Sequence, residues 1–89
     1  MVTVEFAPSL RRHVECSTQQ LATGSLREVL EMALRAAPEL AHYVFDDQRA
    51  VRKHVAVFIN RQMVQDRVRL DQVLQAGDRI LVVQALTGG

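Results

Sequence analysis

The residues whose types could do chemistry stand at the end of the chain. Leu86-Thr87-Gly88-Gly89 follows a strongly apolar run, Ile80-Leu81-Val82-Val83, and ends on two glycines. The expected product is a bare carboxylate on a thin stem. Glycine lacks a Cβ, so such a stem can enter a slot too narrow for side chains. From Ala85 to Gly89 it would reach on the order of 15 Å if extended. A free carboxylate is a poor electrophile, because its charge is delocalised and oxide leaves badly. It reacts once it is part of a mixed anhydride, most simply an acyl-adenylate made with ATP. This chain has no Gly-x-x-x-x-Gly-Lys phosphate loop to make one. Taken alone, the tail reads as a frayed terminus. The rest of the chain weighs against that reading.

The other reactive residue types do not form a constellation. Cys16, on an expected strand, reads as a small buried hydrophobe rather than a nucleophile or sulfur relay. His13, His42 and His54 are isolated from one another in sequence, so they read as surface residues and no metal site is expected. Asp46-Asp47 imitates a carboxylate pair but reads as a solvated loop. The cluster Arg49, Arg52, Lys53, His54 has no interleaved aromatics, and a solvated face is its default reading.

Composition narrows the classes further. Eighty-nine residues suggest one small domain, 1–89, with no room for a deep catalytic cleft. Hydrophobic residues make up 48%, enough for a core, whereas aromatics at 4% leave little for stacking on bases. Eleven Lys and Arg against ten Asp and Glu give a net charge of +1, so no overall field recruits nucleic acid or a membrane surface. A single cysteine excludes an internal disulfide and a multi-thiolate zinc site. No run approaches a membrane span, and Met1 to Glu5 lacks the features of a signal peptide. The expectation is a soluble cytoplasmic domain.

The elements that must carry the tail can be read in order. Val2, Val4 and Phe6 alternate with Thr3 and Glu5, the pattern of a strand with one buried face. Pro8-Ser9 ends it, and a basic turn follows through Leu10-Arg11-Arg12-His13. Val14 to Leu21 is expected to return as an irregular strand, short or bulged. Ser25 and Glu28 form a capping box. Leu26, Val29, Leu30, Ala33, Leu34 and Ala37 then make one apolar helical stripe. Pro38 ends the helix and opens a further short turn through Tyr43; Phe45 to Ala50 reads as a loop. Val55 to Ile59 is a strand, Asn60-Arg61 a turn, and Gln62-Met63-Val64 a short return strand. Leu70, Val73 and Leu74 suit one helical turn before Gly77-Asp78 reverses the chain. Arg79 to Leu86 is apolar on both faces, as in a central strand. The economical architecture is a sheet with one long helix on one face and the first strand beside the last. Apolar residues on both parities then leave a greasy open face for a partner.

This order resembles the β-grasp, or ubiquitin-like, fold of α+β class: a mixed sheet of about four to five strands with one main helix packed on one face. The sequence is similar to the small sulfur carriers of molybdopterin and thiamine biosynthesis, the MoaD/ThiS family. The likeness rests on Val2-Thr3-Val4, Ser25-Leu26-Arg27-Glu28-Val29-Leu30 and Val57-Phe58-Ile59-Asn60. Its most specific part is Leu74-Gln75-Ala76-Gly77-Asp78-Arg79-Ile80, leading to the terminal Gly88-Gly89. Pro8 to His13 and the long loop from Asp46 to His54 look more like carriers of cysteine or thiocarboxylate-metabolite pathways. Two departures stand out. Molybdopterin carriers often have prolines before the glycines, where this chain has Gln84-Ala85-Leu86-Thr87; and the Asn60 hairpin often continues with Gly, here Arg61.

The resemblance implies a carrier rather than an enzyme, holding no cofactor of its own. A separate ubiquitin-activating-type (E1-like) enzyme would use ATP to adenylate Gly89. A sulfur donor would then turn the carboxyl into a thiocarboxylate for a sulfurtransferase or sulfur-accepting synthase, in which this chain could be the small subunit. Gly88 and Gly89 would be the functional pair on a flexible tail, 86–89, with Leu86 and Thr87 gripped by the activating enzyme. Phe58, Leu81 and Val83 would form the partner-binding sheet face. Two alternatives share the fold: a protein modifier conjugated through Gly89, and a binding module that acts through the sheet face alone.

Overall fold

The strand alternation is realised in β1 (Val2–Phe6), where Val2, Val4 and Phe6 are buried and Thr3 and Glu5 are half-buried. The computed structural model describes residues 1–11 and 18–84. After β1 the chain makes a single helical turn, α1 (Pro8–Arg11), where a plain basic turn was expected. Leu10 explains the difference: it is fully buried, so this segment is folded inward. Of the irregular second strand, Gln19–Leu21 (β2) is described; Val14 to Ser17, Cys16 among them, lie outside the described residues, as do Arg12 and His13.

The main helix, α2 (Leu26–Arg35), starts on the expected capping box. Ser25 Oγ accepts from Glu28 N at 3.1 Å, and Glu28 Oε1 accepts from Ser25 N at 3.0 Å. Every residue of its apolar stripe is buried, through to Ala37 beyond its end. Pro38 opens α3 (Pro38–Val44), whose Leu40 and Val44 join the same core. β3 (Val55–Ile59) turns at Asn60-Arg61 into β4 (Gln62–Met63), and β5 (Arg79–Gln84) closes the described chain.

The strands form one mixed sheet in the order β2-β1-β5-β3-β4. β1 runs parallel to β5, with Val4 opposite Ile80 and Phe6 opposite Val82. β3 runs antiparallel to β5, with Val57 opposite Val82 and Ile59 opposite Ile80. These core pairs lie under the helices, making β5 the central strand.

One expectation fails between β4 and β5. Leu70, Val73 and Leu74 do not form a helical turn. Leu70 takes φ 53 and Val73 is 78% exposed, while Leu70 and Leu74 are buried. The backbone here is engaged by α2 instead: Leu26 N donates to Gln72 O, and Arg27 N to Leu70 O, both at 2.9 Å. The segment thus satisfies the donors that the start of a helix leaves open, and cannot use those carbonyls for a turn of its own. Gly77 (φ 91) then makes the reversal into β5, a conformation glycine adopts without strain.

Candidate functional site

Because side chains alternate along a strand, the side of the sheet away from the helices carries the opposite parity from the core. On β5 this side presents Arg79, Leu81 and Val83; on β1, Thr3 and Glu5; on β3, Phe58 and the well-covered Ala56. The register aligns Glu5, Leu81, Phe58 and Met63 in one row across four strands. Val83 and Ala56 form the next row. Leu81, Phe58 and Val83 are half-buried, and Met63 is 50% exposed. The three face residues expected from the sequence are therefore brought together. A depression of about 590 Å³ lies over the row, bordered by Phe58, Leu81, Thr3, Glu5, Arg61 and Arg79.

The polar margin of this depression was not singled out from the sequence, although the alternation of β1 already places Thr3 and Glu5 opposite its buried valines. Arg79 reaches Glu5 at 4.0 Å. Gln20 Nε2 donates to Thr3 Oγ1 at 3.0 Å and ties β2 to the same side. At the other end Asn60 Nδ2 donates to Asp78 Oδ1, and Asn60 Oδ1 accepts from Arg79 N, both at 2.9 Å. Asp78 Oδ2 also accepts from Gln75 N at 2.8 Å. These bonds favour the ionised carboxylate and lower its pKa, the Gln75 amide contributing most and the Asn60 side chain next. The entry to β5 is thereby locked to the β3–β4 turn.

The last described residue, Gln84, pairs with Val55. Leu86, Thr87, Gly88 and Gly89 lie outside the described residues, so the tail is located only by the strand that leads to it. The sequence profile of the ThiS family matches residues 10–89, and so includes both glycines.

The chain belongs to the ThiS family.

Solved structures agree on the β-grasp fold of this ThiS-family chain. SAMP1 of Haloferax volcanii superposes with a TM-score of 0.78 at 19% identity, covering 99% of this chain and 98% of the other. The small archaeal modifier protein 1 of Methanosarcina acetivorans gives 0.79 at 20%, covering 99% and 95%. A chain of the Amycolatopsis orientalis BexX/CysO complex gives 0.74 at 20%, covering all of both. At these identities the likeness is one of fold. No curated protein matches the chain.

Elsewhere, this ThiS-family chain uses its charged residues mainly to hold loops. Arg27 donates to the carbonyls of Val68 at 2.5 Å and Arg49 at 3.1 Å, and lies 5.9 Å from the centre of the Phe45 ring. Arg67 donates to the carbonyls of Arg52 and Val55. Arg49 pairs with Glu31, and Asp46 Oδ1 accepts from Gln48 N at 2.9 Å and Ala50 N at 3.0 Å. The reading of Asp46 as part of a plain loop therefore gains a structural role. In the basic cluster Arg49 and Lys53 are exposed and Arg52 and His54 half-buried; His54, read as isolated from His42, borders one recess with His42, Tyr43 and Arg52. Among the described residues no group of three His, Cys, Asp or Glu is placed to hold a metal. No helix of the described residues is long and apolar enough to cross a membrane.

Proposed function

We propose that this chain is a cytoplasmic sulfur carrier of a cofactor, cysteine or metabolite biosynthetic route, with Gly89 as its loading site. In this reading a partner enzyme binds the row of Phe58, Leu81 and Val83 and takes the tail, 86–89, into its own active site. Leu86 and Thr87 are gripped there, and Gly88 passes the narrowest point. The Gly89 carboxylate attacks the α-phosphorus of ATP, forming an acyl-adenylate and releasing pyrophosphate. Hydrosulfide, or a donor equivalent to it, then attacks the acyl carbon and expels AMP, leaving a thiocarboxylate. That group is a good sulfur nucleophile at neutral pH and passes its sulfur to an acceptor held by a second enzyme. The chain supplies an atom on a handle, and its partners supply the catalysis.

The observation that carries this reading is the family match running through Gly88 and Gly89, on a chain whose central strand leads directly to them. The BexX/CysO complex gives a precedent for a chain of this fold in complex with another protein. Deleting Gly89 tests the proposal: circular dichroism should be unchanged and ATP-dependent activation abolished. Normal adenylation of the truncated chain would refute it.

A second reading has one observation in its favour, the likeness to two proteins described as archaeal modifiers. There Gly89 would form an isopeptide bond with lysines of other proteins. Conjugates of higher mass in denaturing gels of cell extract, lost with Gly89, would favour it.

A further inference from the structure

Of the eleven Lys and Arg residues of this sequence, Lys53 is the one lysine. An arginine stays charged and so does not accept an acyl group, whereas a lysine that has given up its proton is a nucleophile. Lys53 stands where β3 begins. Val55 N donates to Arg52 O at 3.0 Å, closing a tight turn that leaves Lys53 exposed. The turn is anchored: Arg52 N donates to Val44 O at 2.9 Å, and Arg52 O also accepts from Arg67. The Lys53 ammonium pairs with no described residue.

β3 runs antiparallel to β5, so this turn lies at the end of the sheet where β5 finishes. Val55 is opposite Gln84, the residue that leads to the tail. Facing Cα atoms of such a pair are ~5 Å apart, and two Cα steps add at most ~7.6 Å. The Lys53 backbone is therefore within about 13 Å of Gln84. Residues 85–89 can span on the order of 15 Å, and the lysine stem adds its own length. The same topology excludes the amine at Met1. β1 is parallel to β5, with Thr3 opposite Arg79, so Met1 lies at the far end of β5, roughly 17 Å or more from Gln84.

We infer that Lys53 is an acyl acceptor for the activated Gly89 of its own chain. The inference rests on the reading of Gly89 as the end that is adenylated. A partner that holds the tail extended keeps the acyl carbon beyond Lys53. Once the tail is released without sulfur, the neutral Lys53 Nζ attacks the acyl carbon. The C–N bond forms, the C–O bond to phosphate breaks, AMP leaves and a proton passes to water. The product is an isopeptide that closes residues 53–89 into a ring and withdraws the carboxyl from sulfur loading. A tether of five residues gives an effective concentration on the order of a millimolar, so at micromolar protein closure outruns linkage of two copies by roughly a hundredfold or more. An exposed turn lysine needs no function of its own. What singles this one out is that the sole lysine sits at the end of the sheet that the tail can reach.

The test activates Gly89 chemically, so its outcome is separate from whether an enzyme adenylates the chain. The full-length chain is prepared as a Gly89 aryl thioester by intein cleavage, kept dilute at mildly alkaline pH and followed by intact mass. The expected product is a monomer lighter than the free acid by one water, with peptide 53–61 joined to peptide 80–89 after trypsin digestion. Lys53→Arg should give only the free acid. Combining Lys53→Arg with Arg61→Lys moves the lysine to the β3–β4 turn, where Asn60 N bonds Arg79 O at the far end of β5, and should slow closure by about tenfold or more. Circular dichroism checks that both variants fold. Hydrolysis without closure in the parent chain, loss of water in Lys53→Arg, a predominance of linked dimers, or equally fast closure from position 61 would overturn the proposal.

Discussion

Phe58 of β3 stands directly opposite Leu81 of β5 on the uncovered side of the sheet, next to the pair Val57–Val82 on the covered side. One step along the strands separates a core pair from a surface pair of almost the same chemistry. The core pair is needed for folding, whereas the surface pair is only half-buried. Leu81→Asp sets a carboxylate opposite Glu5 on the central strand and should cost about 1–3 kcal/mol in urea unfolding, with circular dichroism checking that the chain still folds. In the carrier reading proposed above, it should weaken binding to the partner enzyme by tenfold or more, as loss of a central apolar contact does. Equal binding by the folded variant would remove the sheet row from the account.

The Asn60-Arg61 turn has φ 49 and φ 74, the paired left-handed conformation of a tight two-residue hairpin. Asn tolerates it, and Asn60 is further held by Asp78 and Arg79. Arg61 has no such excuse for a positive φ. Replacing it with Gly should stabilise the chain by about 0.5–1 kcal/mol in chemical denaturation, by relieving that strain. Asn60→Ala should destabilise by about 1–2 kcal/mol, since it also strips a partner from Asp78 and from Arg79 N.

Arg27 joins α2 to two loops through the carbonyls of Val68 and Arg49 and lies against Phe45. Arg27→Met keeps most of the aliphatic stem but loses every donor. It should cost about 1–3 kcal/mol and speed amide hydrogen exchange in residues 45–54 and 66–74. Exchange unchanged in both loops would mean that they are held by other contacts.

Three carboxylates have pKa values lowered by bonds to their charged form. Asp66 accepts from the amides of Arg69 and Val68, Asp78 from Gln75 and Asn60, and Glu28 from Ser25. A pKa that is lower folded than unfolded means that the unfolded chain binds more protons as the solution is acidified. Their contribution is fully present above the ordinary carboxylate range and is lost as pH falls through the lowered values. Denaturant midpoints should drop below about pH 5, and Asp78→Asn should flatten that decline. A drop of equal steepness in the variant would exclude Asp78 as a contributor.

Much of this architecture is legible in the sequence because its signals are local. The Ser25–Glu28 box starts α2, the stripe from Leu26 to Ala37 buries one face, and Pro38 both stops one helix and opens the next. The alternation of Val2, Val4 and Phe6 and the doubly apolar β5 were enough to place the first strand beside the last. The segment before Gly77 was misread because its conformation depends on α2, tens of residues away, which takes its carbonyls and forces Leu70 into a left-handed φ. Hydrophobic spacing records that Leu70 and Leu74 go inward but not by what backbone path. For the same reason His42 and His54 looked unrelated: Arg52, bonded to His42 O, and Arg67, bonded to the carbonyls of Arg52 and Val55, bring their segments together. On the sheet, Phe58, Leu81 and Val83 followed from parity alone, whereas the contribution of Met63 required the cross-strand register.

The most direct test of the carrier role is the intact mass of the chain after incubation with ATP, a sulfide source and a candidate adenylating enzyme. The account predicts a gain equal to sulfur replacing one oxygen, confined to the C-terminal peptide and absent when Gly89 is deleted. An unchanged mass, with the same enzyme shown to be active on its own known carrier, would contradict it.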